Sequence, residues 1–434
     1  MSKRVVFAAA LLCLAAYVFI YATGRANPPI RSDGYSYYVY LPAWFIYHDP
    51  SLASVARDCC GGEFPAFTAI IRWPGTRRWV NAHPMGVAVM QVPFFLAAHG
   101  LTKWSNLSAD GFTLYYQHAA GIAGGFWAIA GLVLLRRLLL RRFSDRVTAA
   151  ALAALVCGTG LLHYATYDSS YSHTYSFFLL AALLIVNEDW WSTFTKATVD
   201  KSAFGKAALL GLVAGLIVLT RHTNVLLLLL VPLYGVSHLG GTQNALAAGR
   251  ARWREVAIAA GAAALVVLPQ LALYYEATGR WIVSSYGDLT FNFTSPHLWG
   301  VLFSVQKGLF FWSPLLLAAG AGFWLAREHT RPFALAAGLI FAADVYLIAS
   351  WWDWQFGGSY GHRGFIDLLP FFAIGLAGFF AWSARTRLRT IVVALTTCAL
   401  VLLSLFQMLQ YWNGVLPISD ITWEQYKSVF LRWQ

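Results

Sequence analysis

Carboxylates, cations and imidazoles are scarce in this chain, and where they occur they could do chemistry. Asp33 stands in Ser32-Asp33-Gly34-Tyr35-Ser36-Tyr37-Tyr38, about ten residues past an apolar run at 5–23. A carboxylate beside cationic groups stays ionised and can take a proton from a hydroxyl. Asp168 follows a later apolar run and is the second candidate, as a partner that orients a substrate or holds a metal. Asp33-Gly34 is equally a turn signal. Lys307 opens Gln306-Lys307-Gly308-Leu309-Phe310-Phe311-Trp312, and Arg363 sits in Gly357-Gly358-Ser359-Tyr360-Gly361-His362-Arg363-Gly364. A cation at a helix end beside glycines suits a phosphate. The competing reading of each alone is an interfacial anchor. Arg221, between two short apolar runs, suits either a phosphate or a structural ion pair.

These groups need elements to position them, and composition says which. Of 434 residues, 59% are hydrophobic and 12% charged, against about 25% charged in soluble domains. Apolar runs of bilayer length recur. The chain reads as an all-α polytopic membrane protein with about eleven spans: 5–23, 115–135, 147–166, 174–190, 206–220, 224–238, 256–275, 308–326, 332–350, 365–382 and 390–411. The apolar core of the first run is longer than a usual signal core, so it reads as an uncleaved anchor. The net charge of +12 does not mark a nucleic-acid binder. Its basic residues fall in short clusters, at Lys3-Arg4, Arg136–Arg146, Arg250–Arg254, Arg327–Arg331 and Arg385–Arg389, as cytoplasmic loops require.

That topology puts the loops 24–114, 167–173, 276–307 and 351–364 outside, with the segment 412–434 as a short external tail. The membrane domain is 1–411, and no soluble domain is expected. Residues 85–101 are read as an interfacial or re-entrant helix inside the first loop, since a full crossing would invert the 136–146 cluster. The stretch Leu41–Ile46 is read as lying on the membrane surface. Asp33, Tyr35, His83, His163, Asp168, His173, Glu276, Lys307, His362, Arg363 and Asp367 then share the external side. Polar groups at membrane depth are costly and need a reason. His83, His173 and His362 with Asp33 or Asp168 would make donors for a divalent metal ion, without HxxH or HExxH spacing behind them. Cys59 and Cys60 are adjacent; a free or strained pair is favoured over a metal site.

The order of these features resembles the GT-C membrane glycosyltransferases, in the branch holding protein O-mannosyltransferases and lipid A aminoarabinose transferases. The resemblance rests on Asp33 in a long first external loop, a span ending Leu134-Leu135-Arg136-Arg137-Leu138, and a second external Asp. It extends to Gly211–Arg221, Phe310-Phe311-Trp312-Ser313-Pro314 and Trp351-Trp352-Asp353-Trp354, and covers about residues 5–380. It implies an inverting transferase that moves a sugar from a polyprenyl-phosphate donor to a lipid, glycan or protein hydroxyl at the outer face of a bacterial cytoplasmic membrane. Asp33 would be the general base and Asp168 its orienting or metal-binding partner. Lys307, Arg363, Arg221 and His362 would hold the donor phosphate, and Tyr35, His83, His173 and Glu276 would meet substrate. Two departures stand out: Gly34 replaces the second acid common in that family, and no large C-terminal soluble domain follows. A transporter or lipid-linked sugar flippase is the main rival, but it predicts an internal repeat and broken helices at mid-membrane. A non-enzymatic assembly factor would tolerate Asp33→Asn.

Overall fold

The structure, a computed structural model, describes residues 1–194, 202–283 and 289–433. Residues 284–288 of the expected 276–307 loop, and Gln434 of the expected tail, lie outside the described residues.

The apolar runs form helices that pack side by side. Eight described helical segments are long and apolar enough to cross a membrane: Ser2–Ala22, Leu114–Leu140, Ser202–Thr220, His222–Leu239, Trp253–Thr278, Arg327–Ser350, Arg363–Ser383 and Arg387–Trp412. The other three expected spans are helical but differ in form. The 147–166 run divides at Gly158-Thr159-Gly160 into Asp145–Cys157 and Leu161–Thr166. The 308–326 run divides at Ser313-Pro314 into Leu309–Trp312 and Leu315–Leu325, because proline supplies no N–H to the preceding turn. His173–Trp191 is one helix with polar residues at both ends. Leu315–Leu325 lies against Leu369–Ser383 through Gly322, Gly375 and Gly378, where a Cβ would strike the facing backbone. Such small-residue seams let membrane helices approach closely.

The basic clusters gather at one end of the bundle. There Arg141 bonds Glu188 and Asp189, Arg142 bonds Glu188, and Arg385 bonds Glu328. The candidate residues lie at the opposite end. That end is capped by the first long loop, which holds the short helices Asp33–Tyr38, Tyr40–Phe45 and Ala53–Cys60. An antiparallel hairpin pairs Ile70–Arg72 with Trp79–Asn81, with Ile71 opposite Val80.

Gly86–Trp104 runs antiparallel to Leu114–Leu140. His99 meets Tyr116, Phe94 meets Phe126, and Trp127 donates to the Met90 carbonyl at 3.2 Å. The helix therefore reaches only about half-way along its neighbour. In Tyr40–Phe45 the residues Tyr40, Leu41, Pro42 and Ala43 are buried, the core around them including Phe95, Tyr116 and Leu219. The tail also folds back. A capping box at Thr422 and Gln425 starts the helix Trp423–Val429, whose Tyr426 hydroxyl accepts from Gln407.

Candidate active site

The segment around Asp33 is a helix rather than a loop, and Asp33 is its first residue. Ser32 before it has φ +47°, a left-handed backbone that a serine adopts only when its surroundings impose it. Those surroundings are explicit. Arg31 donates to the Asp168 carboxylate at 3.0 Å and to the Tyr167 carbonyl at 2.8 Å, and Ser170 donates to the Pro29 carbonyl at 2.6 Å. The turn after Leu161–Thr166 thus grips the chain on the N-terminal side of Asp33. Gly34 closes the contact, since a Cβ there would lie 2.9 Å from that of Ser170 and nearer still to its hydroxyl. The missing second acid has a steric reason: no side chain fits at this position.

Asp33 faces Arg363, with 3.0 Å between carboxylate and guanidinium. Burial, the largest single influence, would raise its pKa, but Arg363 together with His83, His173 and Arg221 outweighs it and holds the carboxyl below its ordinary value. Arg221, next to the start of the His222–Leu229 3-10 helix, lies 3.5 Å from Asp367. His173 lies 3.0 Å from Asp367 and 3.1 Å from Arg221, and Asn224 donates to Asp367 at 3.0 Å. Both guanidiniums touch one ring, Phe356, at 5.8 Å for Arg221 and 5.7 Å for Arg363. His83 is buried with an unpartnered Nδ1, its ring edge-on to Tyr37, and burial pushes its pKa down to about 4. Asp33, Arg363, Arg221, His173 and His83 therefore share one neighbourhood.

Asp168 belongs to a different set. Its second oxygen lies 2.9 Å from His163 Nε2, and His163 Nδ1 accepts the Trp412 indole proton at 3.0 Å. With Nδ1 accepting, the imidazole proton resides on Nε2 and is donated to Asp168. Burial would raise this carboxyl, yet the His163 hydrogen bond and the Arg31 charge hold it down at about 2. Both oxygens are engaged by protein.

Lys307 is buried and donates to the carbonyls of Ser359 and, at 3.0 Å, Ile418. Burial, then Arg363, pushes its pKa down to about 7. His362 donates through Nε2 to the Trp354 carbonyl at 2.9 Å, its Nδ1 is unpartnered, and burial pushes its pKa down to about 3. At neutral pH it is uncharged, so it brings no positive charge to the donor phosphate it was expected to help hold.

Two expected substrate contacts lie elsewhere. The Tyr35 ring stacks on Phe112, and its hydroxyl meets Cys59 Sγ at 3.0 Å, where Cys59 and Cys60 are bonded to each other. Glu276 is exposed, 3.6 Å from Arg78, at a surface cleft shared with Tyr40, Trp79, Gln270 and Tyr274. Arg31, Asn224, Phe356 and Trp412 went unread in the sequence. Arg31 sits two positions before Asp33 and Asn224 three after Arg221, so proximity could have flagged both. Nothing in the sequence marks Phe356 or Trp412.

The described residues assemble no group of three or more metal-ligating side chains. With the oxygens of Asp168 held by Arg31 and His163 and Asp33 turned to a guanidinium, the expected donor set does not fit a metal.

No protein-family model and no curated protein matches the chain. Solved structures do. ArnT from Cupriavidus metallidurans bound to undecaprenyl phosphate is 14% identical, with TM-score 0.53 over 94% of this chain and 64% of that one. The oligosaccharyltransferase AglB from Archaeoglobus fulgidus, in complex with an inhibitory peptide and a dolichol-phosphate, is 10% identical, with TM-score 0.54 over 99% and 59%. An Archaeoglobus fulgidus oligosaccharyltransferase in complex with zinc and sulfate is 13% identical, with TM-score 0.51 over 98% and 57%. The chain thus spans about three-fifths of the length of these structures. Their shared architecture is that of the GT-C glycosyltransferases, and this chain has the GT-C membrane fold.

Proposed function

We propose that the chain is a glycosyltransferase that moves a sugar from a polyprenyl-phosphate donor to a hydroxyl on a lipid, glycan or protein. The reaction would run at the outer face of a bacterial cytoplasmic membrane, with inversion at the sugar. The observation that carries this reading is the Asp33–Arg363 pair, with Arg221 close by, at the end of a GT-C bundle opposite the basic clusters. The undecaprenyl phosphate and dolichol-phosphate bound by the similar structures support the donor class.

The pair suggests how the reaction would be gated. In the unliganded protein Arg363 neutralises Asp33 and weakens it as a base. A donor phosphate competes for the same guanidinium. As Arg363 turns to the phosphate, Asp33 loses its counter-charge, its proton affinity rises, and it becomes a better acceptor for the incoming hydroxyl proton. The acceptor oxygen then bonds to the anomeric carbon while the bond from that carbon to the phosphate oxygen breaks. Polyprenyl phosphate leaves with its electron pair, and Arg363 and Arg221 stabilise the negative charge. Asp168 works through Arg31, fixing the segment from which Asp33 projects.

The test is sugar transfer by purified protein in nanodiscs with a panel of short-chain polyprenyl-phosphate sugars. Donor-dependent release of polyprenyl phosphate that vanishes in folded Asp33→Asn supports the reading. Equal turnover in both proteins removes Asp33 as the base. Lipid translocation without donor consumption would favour the flippase.

A further inference from the structure

The two guanidiniums that the proposed reaction assigns to the donor phosphate meet one apolar side chain. The Phe356 ring centroid lies within 6 Å of the guanidinium carbon of both Arg221 and Arg363, at 5.8 and 5.7 Å. An anion held by both guanidiniums would lie close to this ring. An aromatic face attracts a cation only through its quadrupole, so it is a weaker occupant than a phosphate. The ring is half-buried at the margin of the main hydrophobic core, with His362 edge-on at 5.5 Å.

Its backbone is held against preference. Phe356 has φ +58°, in the left-handed region, and is followed by Gly357 at +59° and then by Gly358. A bulky side chain at positive φ is an outlier. Such strain collects at clamps and switches. Two glycines directly after it leave the loop free to rotate the ring away.

We propose that Phe356 is a plug: it fills the space shared by Arg221 and Arg363 and is displaced by the phosphate of a polyprenyl lipid, whether still bearing the sugar or freed of it. This rests on the polyprenyl-phosphate reading above. A ligand that binds only the unplugged form has its apparent affinity reduced by the fraction unplugged. Removing a ring that is in place about nine-tenths of the time tightens binding about tenfold by the same relation.

The experiment is calorimetric titration of a short-chain polyprenyl phosphate into wild type, Phe356→Ala and Phe356→Asn, with inorganic phosphate titrated in parallel. Asn tolerates left-handed φ, so that variant removes the ring while preserving the loop. Tighter binding of the lipid phosphate in both variants is the expected result. Equal or weaker binding in either makes Phe356 a wall of the site and overturns the plug, with the donor reading intact. Inorganic phosphate binding as tightly as the lipid overturns the lipid assignment. No binding of polyprenyl phosphate by any of the three proteins removes the donor reading and the plug with it.

Discussion

The guanidinium of Arg363 lies 3.0 Å from the carboxylate of Asp33. The base of the proposed reaction is thus paired, before substrate arrives, with a cation that the leaving group also needs. Asp33→Asn should cut turnover by about 10²–10⁴-fold, the usual contribution of one positioned base. Donor binding should hold or tighten in that variant, because Arg363 is released from its carboxylate. Single-turnover release of polyprenyl phosphate, alongside donor titration, checks both halves.

The same pair sets an acid limit. Arg363 holds the Asp33 carboxyl below its ordinary value of 3.8 in the unliganded protein. Asp33 therefore stays ionised as pH falls toward that value. Arg363→Gln removes the counter-charge while burial remains, so the pKa should rise and the acid limb of kcat/KM should move to higher pH. An acid limb that stays in place in Arg363→Gln would separate the two residues.

Asp168 should behave as a structural anchor for the catalytic segment. Its carboxylate is nearly fully buried between Arg31 and His163. Asp168→Ala leaves Arg31 without its counter-charge, at a cost of about 3–5 kcal/mol for breaking a buried pair. Asp33→Asn, at a more open carboxylate, should unfold at a higher temperature than Asp168→Ala. Thermal denaturation in one detergent compares them directly.

Lys307 gives a pH dependence of stability. The unfolded chain keeps this proton to 10.5, the folded one to about 7. Between those values the unfolded state binds more protons, so this residue makes stability rise with pH across that window. Lys307→Met should flatten the rise.

Gly34→Ala should destabilise by about 1–3 kcal/mol, the ordinary cost of overpacking. Ser170→Gly in the same chain should recover part of the loss, because it removes the hydroxyl and Cβ that the new methyl meets. A melting-temperature cycle over the two single variants and the double variant measures that coupling.

Much of this was legible in the sequence. Apolar runs of bilayer length declare helices, and basic residues between them declare one end of the bundle, because both follow from local composition. Asp33, Arg363, His173 and His83 could be gathered on one side for the same reason: alternating crossings return successive loops to the same face. Periodicity could not show where one helix breaks into two, as at Ser313-Pro314.

What only the tertiary structure decided was the partner of each group. Arg31 and Asp168 are 137 positions apart and Trp412 and His163 are 249 apart; no local pattern encodes such pairings. They turn Asp168 from an apparent second catalytic acid into a clamped one. Tyr35 looks like a neighbour of Asp33 in the sequence. The helix Asp33–Tyr38 turns about 100° per residue, which points residues two apart in nearly opposite directions and sends Tyr35 to the Cys59–Cys60 bond. His362 reads as a phosphate ligand beside Arg363, but burial makes it neutral even against the Trp354 carbonyl, which favours the charged form. The sequence by itself determined that this is a membrane bundle with its scarce polar groups at one end. Folding determined which of them face each other, because charge and protonation depend on neighbours that only three-dimensional packing supplies.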